Sequence, residues 1–103
     1  MSLSTHVLDT ATGRPAVGIA VAWESAAGTR TGCTDADGRL RFAGDTVAGV
    51  HRLVFATGEW FAAAGVAAFH PRVCVEFEVH DPAEHHHVPL LLSPFAYSTY
   101  RGS

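Results

Sequence analysis

VCVEFEVH, residues 73–80, sets Val73, Val75, Phe77 and Val79 at every second position, with Cys74, Glu76, Glu78 and His80 between them. Successive side chains of an extended backbone point to opposite faces, so this period of two describes an antiparallel strand with one face on a core and the other in water. VGIAVAWES, residues 17–25, repeats the pattern: Val17, Ile19, Val21 and Trp23 alternate with small or polar residues, between the turn-forming clusters TGRP and AAGT. The same reading continued along the chain predicts strands at Leu3–Leu8, Val17–Ser25, Arg30–Thr34, Leu40–Phe42, Val50–Thr57, Arg72–His80, Val88–Leu92 and Ser98–Arg101. DADG, residues 35–38, is the tight turn between the third and fourth of these. One segment breaks the period. TGEWFAAAGV, residues 57–66, is alanine-rich and closes on Gly65, which predicts a helix of about two turns. Short strands at such close spacing make an all-β sandwich or barrel.

Composition bounds what such a sandwich does. The 103 residues suffice for one domain, 1–103, with a core of limited size, and a second domain is not expected. Only 17% of residues are charged against 48% hydrophobic, so some apolar surface is expected to be covered by another subunit. Arginine is the only basic residue besides histidine, the formal net charge is −3, and no basic stripe interleaved with aromatics occurs, which argues against nucleic acid as a partner. MSLSTHVLDT lacks a charged and an apolar leader region, and no apolar run approaches the roughly 18 residues of a membrane helix, so no membrane partner and a cytoplasmic location are expected. On that reading Cys33 and Cys74 are reduced thiols. The aromatic segment SPFAYSTYRGS, residues 93–103, is unlike a fraying end, and a docked terminus is expected.

Seven histidines stand among the 103 residues. Imidazole exchanges protons near neutral pH and also binds metals. In EHHHVP, residues 84–89, strand geometry would set His85 and His87 on one face and His86 on the other, whereas a loop would simply carry all three into water. No CxxC or HExxH spacing supplies a zinc set, so no metal is assigned. His6 stands on a strand with nothing charged nearby in sequence, and Arg39 follows a turn; by themselves both read as solvated side chains. Nucleophile elbows, paired carboxylates and glycine-rich phosphate loops are absent.

Together, however, LSTHVLDTATGRPA (3–16), TDADGR (34–39), HRLVFATGEWF (51–61) and EHHHVPLLLSPFAYSTYRGS (84–103) resemble the 5-hydroxyisourate hydrolases, the transthyretin-like family, almost end to end. The terminal YRGS and the paired histidines distinguish this resemblance from transthyretin itself, the hormone carrier. It implies a prealbumin-like sandwich of two four-stranded sheets with one short α-helix. It also implies a homotetramer, a dimer of dimers, with active sites where the dimers meet. The reaction implied is hydrolysis of 5-hydroxyisourate to 2-oxo-4-hydroxy-4-carboxy-5-ureidoimidazoline in urate degradation, without a cofactor. The positions matching the family's site are His6, Arg39, His87 and Ser103, with Tyr100 and Arg101 in the terminal motif. His86 stands where the family commonly has tyrosine, and little effect on the chemistry is expected because its side chain alternates away from His87. His87, or else His6, would take the proton of an attacking water; Arg39 would stabilise the oxyanion; Ser103 and Tyr100 would orient the substrate. Ser103 would thus belong to the site, which gives the aromatic terminus its task. A carrier without catalysis, as in transthyretin, is the alternative; it would want an apolar channel rather than one lined by His6, Arg39 and His87. A metal-binding use of the histidine cluster is a third.

Overall fold

In the computed structural model, which describes residues 2–44 and 46–103, the period-two segments pair into two sheets. The strands are β1 (Ser2–Asp9), β2 (Arg14–Pro15), β3 (Ala20–Ser25), β4 (Gly28–Cys33), β5 (Arg39–Ala43), β6 (Gly49–Phe55), β7 (Val73–Val79), β8 (His86–Leu92) and β9 (Tyr97–Thr99), with helix α1 (Thr57–Ala63) between β6 and β7. In the first sheet β1 pairs in parallel with β8, and β9 follows antiparallel to β8. Beyond β1, β5 takes the Ser2–His6 half and the two-residue β2 pairs with Leu8 and Asp9. The second sheet runs β4-β3-β6-β7, antiparallel throughout. The expected sandwich of two four-stranded sheets and one helix is therefore present, with β2 as a short addition to the first sheet.

Alternation fills the space between the sheets. Leu3 and Val7 of β1 and Val88, Leu90 and Leu92 of β8 meet Val21 and Trp23 of β3, Leu53 and Phe55 of β6, and Val73 and Val75 of β7 in one buried cluster. His51 is buried in this layer too. Trp23 Nε1 donates to its Nδ1 at 2.9 Å and its Nε2 donates to the Val47 carbonyl at 2.7 Å, so both ring nitrogens are satisfied without charge. The helix ends where the sequence indicates. Gly65 adopts φ 72°, its N–H bonds to the Ala62 carbonyl, and Val66 N–H bonds to Phe61 O, a Schellman closure that a residue with a Cβ would strain.

Several strand limits differ from those expected, for local reasons. The strand predicted from Val17 begins at Ala20, because Gly18 turns the chain at φ 80° and Val17 lies outside the ladder, 50% exposed. Thr57 belongs to α1 rather than to the end of β6. The final strand, expected at Ser98–Arg101, is Tyr97–Thr99; Tyr100 and Arg101 leave the ladder before Gly102 rejoins it opposite His87. β8 starts at His86, ahead of the expected limit at Val88, so the histidine cluster runs into a strand instead of a solvated loop.

Candidate active site

The parity of β1 and β8 decides what faces outward. Leu3, Thr5, Val7 and Asp9 are buried, which turns Ser2, Ser4 and His6 to the outer face of the first sheet. On β8 the same parity buries His86 and Val88 and leaves His87 only partly covered on the outside. Register then assembles the face across the sheet. His6 lies opposite Arg39 and Ser4 opposite Arg41 on β5, Ser4 lies opposite His87 on β8, and His87 lies opposite Gly102. Ser4, Asp35, Arg39, Arg41, His85 and His87 line a groove of about 310 Å³ on this face.

Arg39 is delivered by the turn before it. Asp35 Oδ1 accepts from the backbone N–H of Asp37 and of Arg39, each at 2.9 Å. The Arg39 amide first, then the Asp37 amide, hold the exposed Asp35 carboxyl below its ordinary range. Gly38 takes φ 73° and accepts from Val7 N–H at 2.8 Å; a Cβ there would sit 2.5 Å from the Val7 carbonyl oxygen. The turn is thereby clamped to β1 and the side chain of Arg39 stands beside His6. Among the described residues, no carboxylate or carbonyl engages the Arg39 guanidinium. His6 Nε2 donates to the Asp37 carbonyl at 2.9 Å. Because a carbonyl only accepts, that nitrogen carries the proton and Nδ1 holds the lone pair in the neutral ring.

His87 is held by its neighbours on both sides. Its Nδ1 is 2.7 Å from Ser4 Oγ, which is also 3.0 Å from His85 Nε2, and His85 Nδ1 meets Ser2 Oγ. Burial is the main influence on its pKa, pushing it below the ordinary histidine value; the positive charge available on His85, His6 and Arg39 acts in the same direction, and the backbone of Ser4 opposes them. Gly102 N–H donates to the His87 carbonyl at 2.9 Å. A Cβ on Gly102 would overlap His87 Cδ2, so the terminal segment lies directly against the edge of the ring.

Of the residues singled out in the sequence, His6, Arg39 and His87 share this outer face. Ser103 follows Gly102, the residue bridged to His87, and is exposed. Tyr100 and Arg101 line an adjoining groove of about 220 Å³ with Phe77, His86 and His87. Arg101 pairs there with Glu84 at 2.9 Å on the surface. His86 points inward, 4% exposed, with its ring centroid 6.4 Å from that of Phe77, on the side of the sheet away from the Ser4 contact of His87. Three contacts are not read from the sequence: Ser4 with His87, Asp35 with the Arg39 amide, and the close approach of Gly102 to the His87 ring. Ser4 is accessible through parity, since it shares a face with His6, but the parallel partner β8 that sets it against His87 leaves no local signal. Among the described residues, no group of three His, Cys, Asp or Glu side chains is arranged to hold a metal ion.

The profile of the HIUase/Transthyretin family matches residues 3–102. The chain belongs to the HIUase/Transthyretin family. A curated relative named 5-hydroxyisourate hydrolase, from Caulobacter vibrioides, is 46% identical over 112 residues, covering 98% of this chain and 97% of its own. The solved structure of Klebsiella pneumoniae 5-hydroxyisourate hydrolase superposes with a TM-score of 0.91 at 40% identity, covering 100% of both chains. The family also contains transthyretins: that of sea bream, solved in complex with thyroxine, superposes with a TM-score of 0.87 at 33% identity over 97% of this chain and 93% of its own. Membership in the HIUase/Transthyretin family agrees with the two-sheet sandwich and its single short helix. No helix among the described residues is long and apolar enough to cross a membrane.

Proposed function

We propose that this chain hydrolyses 5-hydroxyisourate on the outer face of its first sheet, opening the six-membered ring to 2-oxo-4-hydroxy-4-carboxy-5-ureidoimidazoline in urate degradation. The activity is that of its full-length relatives, named 5-hydroxyisourate hydrolase at 43% and 46% identity. The observation that carries the reading is the convergence on one face, from three different strands, of His6, a desolvated His87 and an Arg39 that no described carboxylate engages.

Water attacks a ring carbonyl only as its proton is removed. His87, its pKa lowered, is neutral at neutral pH, and with Nδ1 occupied by Ser4 its Nε2 is the nitrogen free to take that proton. Attack puts negative charge on the carbonyl oxygen. The Arg39 guanidinium, delivered by the Asp35 turn and not held by any described carboxylate, supplies donors to that oxyanion. His6, with its Nδ1 lone pair free, orients the attacking water, His87 returns the proton to the departing ring nitrogen, and Ser103 with Tyr100 and Arg101 orients the planar substrate. No cofactor takes part in this scheme. A carrier role, by contrast, calls for an apolar site, and arginines and histidines line this one.

The assembly in this reading is a homotetramer, two dimers stacked so that the outer faces of their first sheets meet. Support comes from the large apolar side chains left in water on the single chain: Phe69 is 72% exposed, Phe95 68% and Tyr100 58%. The location proposed is cytoplasmic, which suits the exposed, unpaired Cys33 and Cys74. The test is spectroscopic. With 5-hydroxyisourate generated in place from urate and urate oxidase, the protein should accelerate decay of its absorbance in proportion to protein concentration; decay at the spontaneous rate would end the proposal.

A further inference from the structure

The outer face holds a series of side chains that leads away from the base: His87, Ser4, His85 and Ser2 are joined in order by hydrogen bonds. We propose that Ser4 is a positioning residue that fixes His87 as the Nδ1–H tautomer, leaving the Nε2 lone pair toward the substrate. The inference rests on the hydrolase reading, which selects the tautomer; the NMR measurement below decides it without reference to activity.

A neutral imidazole has one N–H and one lone pair, so a ring that must accept a proton at Nε2 has to carry its own proton on Nδ1 and needs an acceptor for it. Ser4 Oγ stands 2.7 Å from that nitrogen, directly across the parallel β1–β8 pairing. The hydroxyl accepts from His87 and sends its single proton to His85 Nε2, 3.0 Å away. His85 then bears its proton on Nδ1 and donates it to Ser2 Oγ, which has a second lone pair for Arg41 Nη2 at 3.3 Å. Arg41 has only donors to offer, so Ser2 accepts from it through one lone pair and keeps the other for the His85 proton. In this direction His87, Ser4 and His85 each donate once and Ser2 accepts twice, which frees Nε2 of His87; the reverse direction meets the same contacts, and the base role of His87 selects between the two. The opposite direction would put the proton on Nε2 and make the ring unfit as a base.

During attack the water proton passes to Nε2, giving an imidazolium whose Nδ1–H still donates to Ser4. When the ring nitrogen leaves, the Nε2 proton goes to it and the neutral Nδ1–H tautomer returns. Protons balance, and Ser4 neither gains nor loses one. Gly102 complements this: its backbone against Cδ2 closes the other edge of the ring, so rotation away from Ser4 is blocked while Gly102 stays in place. A third-residue partner that only orients a histidine is worth much in other sites, and loss of such outer contacts commonly costs about 10- to 100-fold.

The experiment combines ring nitrogen-15 NMR of the intact protein with turnover of 5-hydroxyisourate for Ser4→Ala and Ser4→Thr. In the unsubstituted protein above the pH at which His87 titrates, the His87 shifts should report Nδ1–H; an Nε2–H ring there overturns the proposal whatever the activity. Ser4→Ala should lower kcat about 10- to 100-fold with KM little changed and release the ring to a mixture of tautomers. Ser4→Thr, which keeps the hydroxyl on a strand where a β-branched residue fits, should retain most of the rate and the Nδ1–H signal. Unchanged kcat in a folded Ser4→Ala with His87 still Nδ1–H would also overturn it. If the unsubstituted protein proves inactive, the hydrolase reading fails, while the NMR arm still decides the tautomer.

Discussion

Both sheets turn a polar face outward, yet the two faces are built on opposite rules. On the second sheet Arg52 meets Glu24 at 2.7 Å, which raises its pKa, and just beyond β7 His80 lies 3.2 Å from Glu78. On the first sheet Arg39, Arg41, His6, His85 and His87 gather with one carboxylate among the described residues of the groove, Asp35, which is turned to backbone amides. Paired exposed charges contribute little and mainly keep a surface soluble. The like-signed neighbours and burial disfavour a proton on His87, and the cationic groups there are left without carboxylate partners among the described residues, so their chemistry is available to a ligand. The contrast teaches that the site is recognised by what is left unpaired, not by how polar the face is.

That comparison breaks most sharply at His87. His87→Asn should reduce kcat/KM about 10²- to 10⁴-fold, the span general-base catalysis supplies, while the melting temperature stays near that of the parent. Arg39→Gln should cost about 10²- to 10³-fold in kcat, as does loss of one oxyanion donor elsewhere, with KM affected less. Gly102→Ala should cost about 10²-fold, because the added methyl displaces the His87 ring by a distance on the order of 1 Å. Steady-state kinetics with freshly generated 5-hydroxyisourate reads all three. On the other face Arg52→Ala should leave turnover unchanged, and a loss there would erase the distinction between the faces.

Much of the fold is legible because burial on one face imposes period two directly on the residues, as in Val73–Val79 and Ala20–Ser25. The limits that differ fall where a backbone angle overrides the pattern: Val17 continues the alternation on paper, but Gly18 at φ 80° ends it. The histidine cluster is ambiguous in the sequence for a related reason, since strand pairing with β1, distant along the chain, makes His86 and His87 part of a ladder. His6, Arg39 and His87 are identifiable only through resemblance to a family; alone, each passes for a solvated side chain. Ser4 and Gly102 are invisible as partners of His87, because a parallel neighbour and a backbone approach leave no spacing signature.

Stability offers a smaller, independent check on the same histidine. Its folded-state pKa lies below the unfolded value of about 6.5, so as pH falls the unfolded chain binds the proton first. The stability this group contributes is present above the unfolded pKa and is lost as pH falls through the folded one. Melting curves of the parent should therefore decline with acid more steeply than those of His87→Asn over that window.

The central claim is that a neutral His87 on this face is the base, and the most direct measurement is the pH dependence of kcat/KM set beside the NMR titration of His87 in the same protein. The account predicts an acidic limb that follows the His87 titration and lies below the ordinary histidine value of about 6.5. A limb above that value, or one unrelated to the titration of His87, would contradict it.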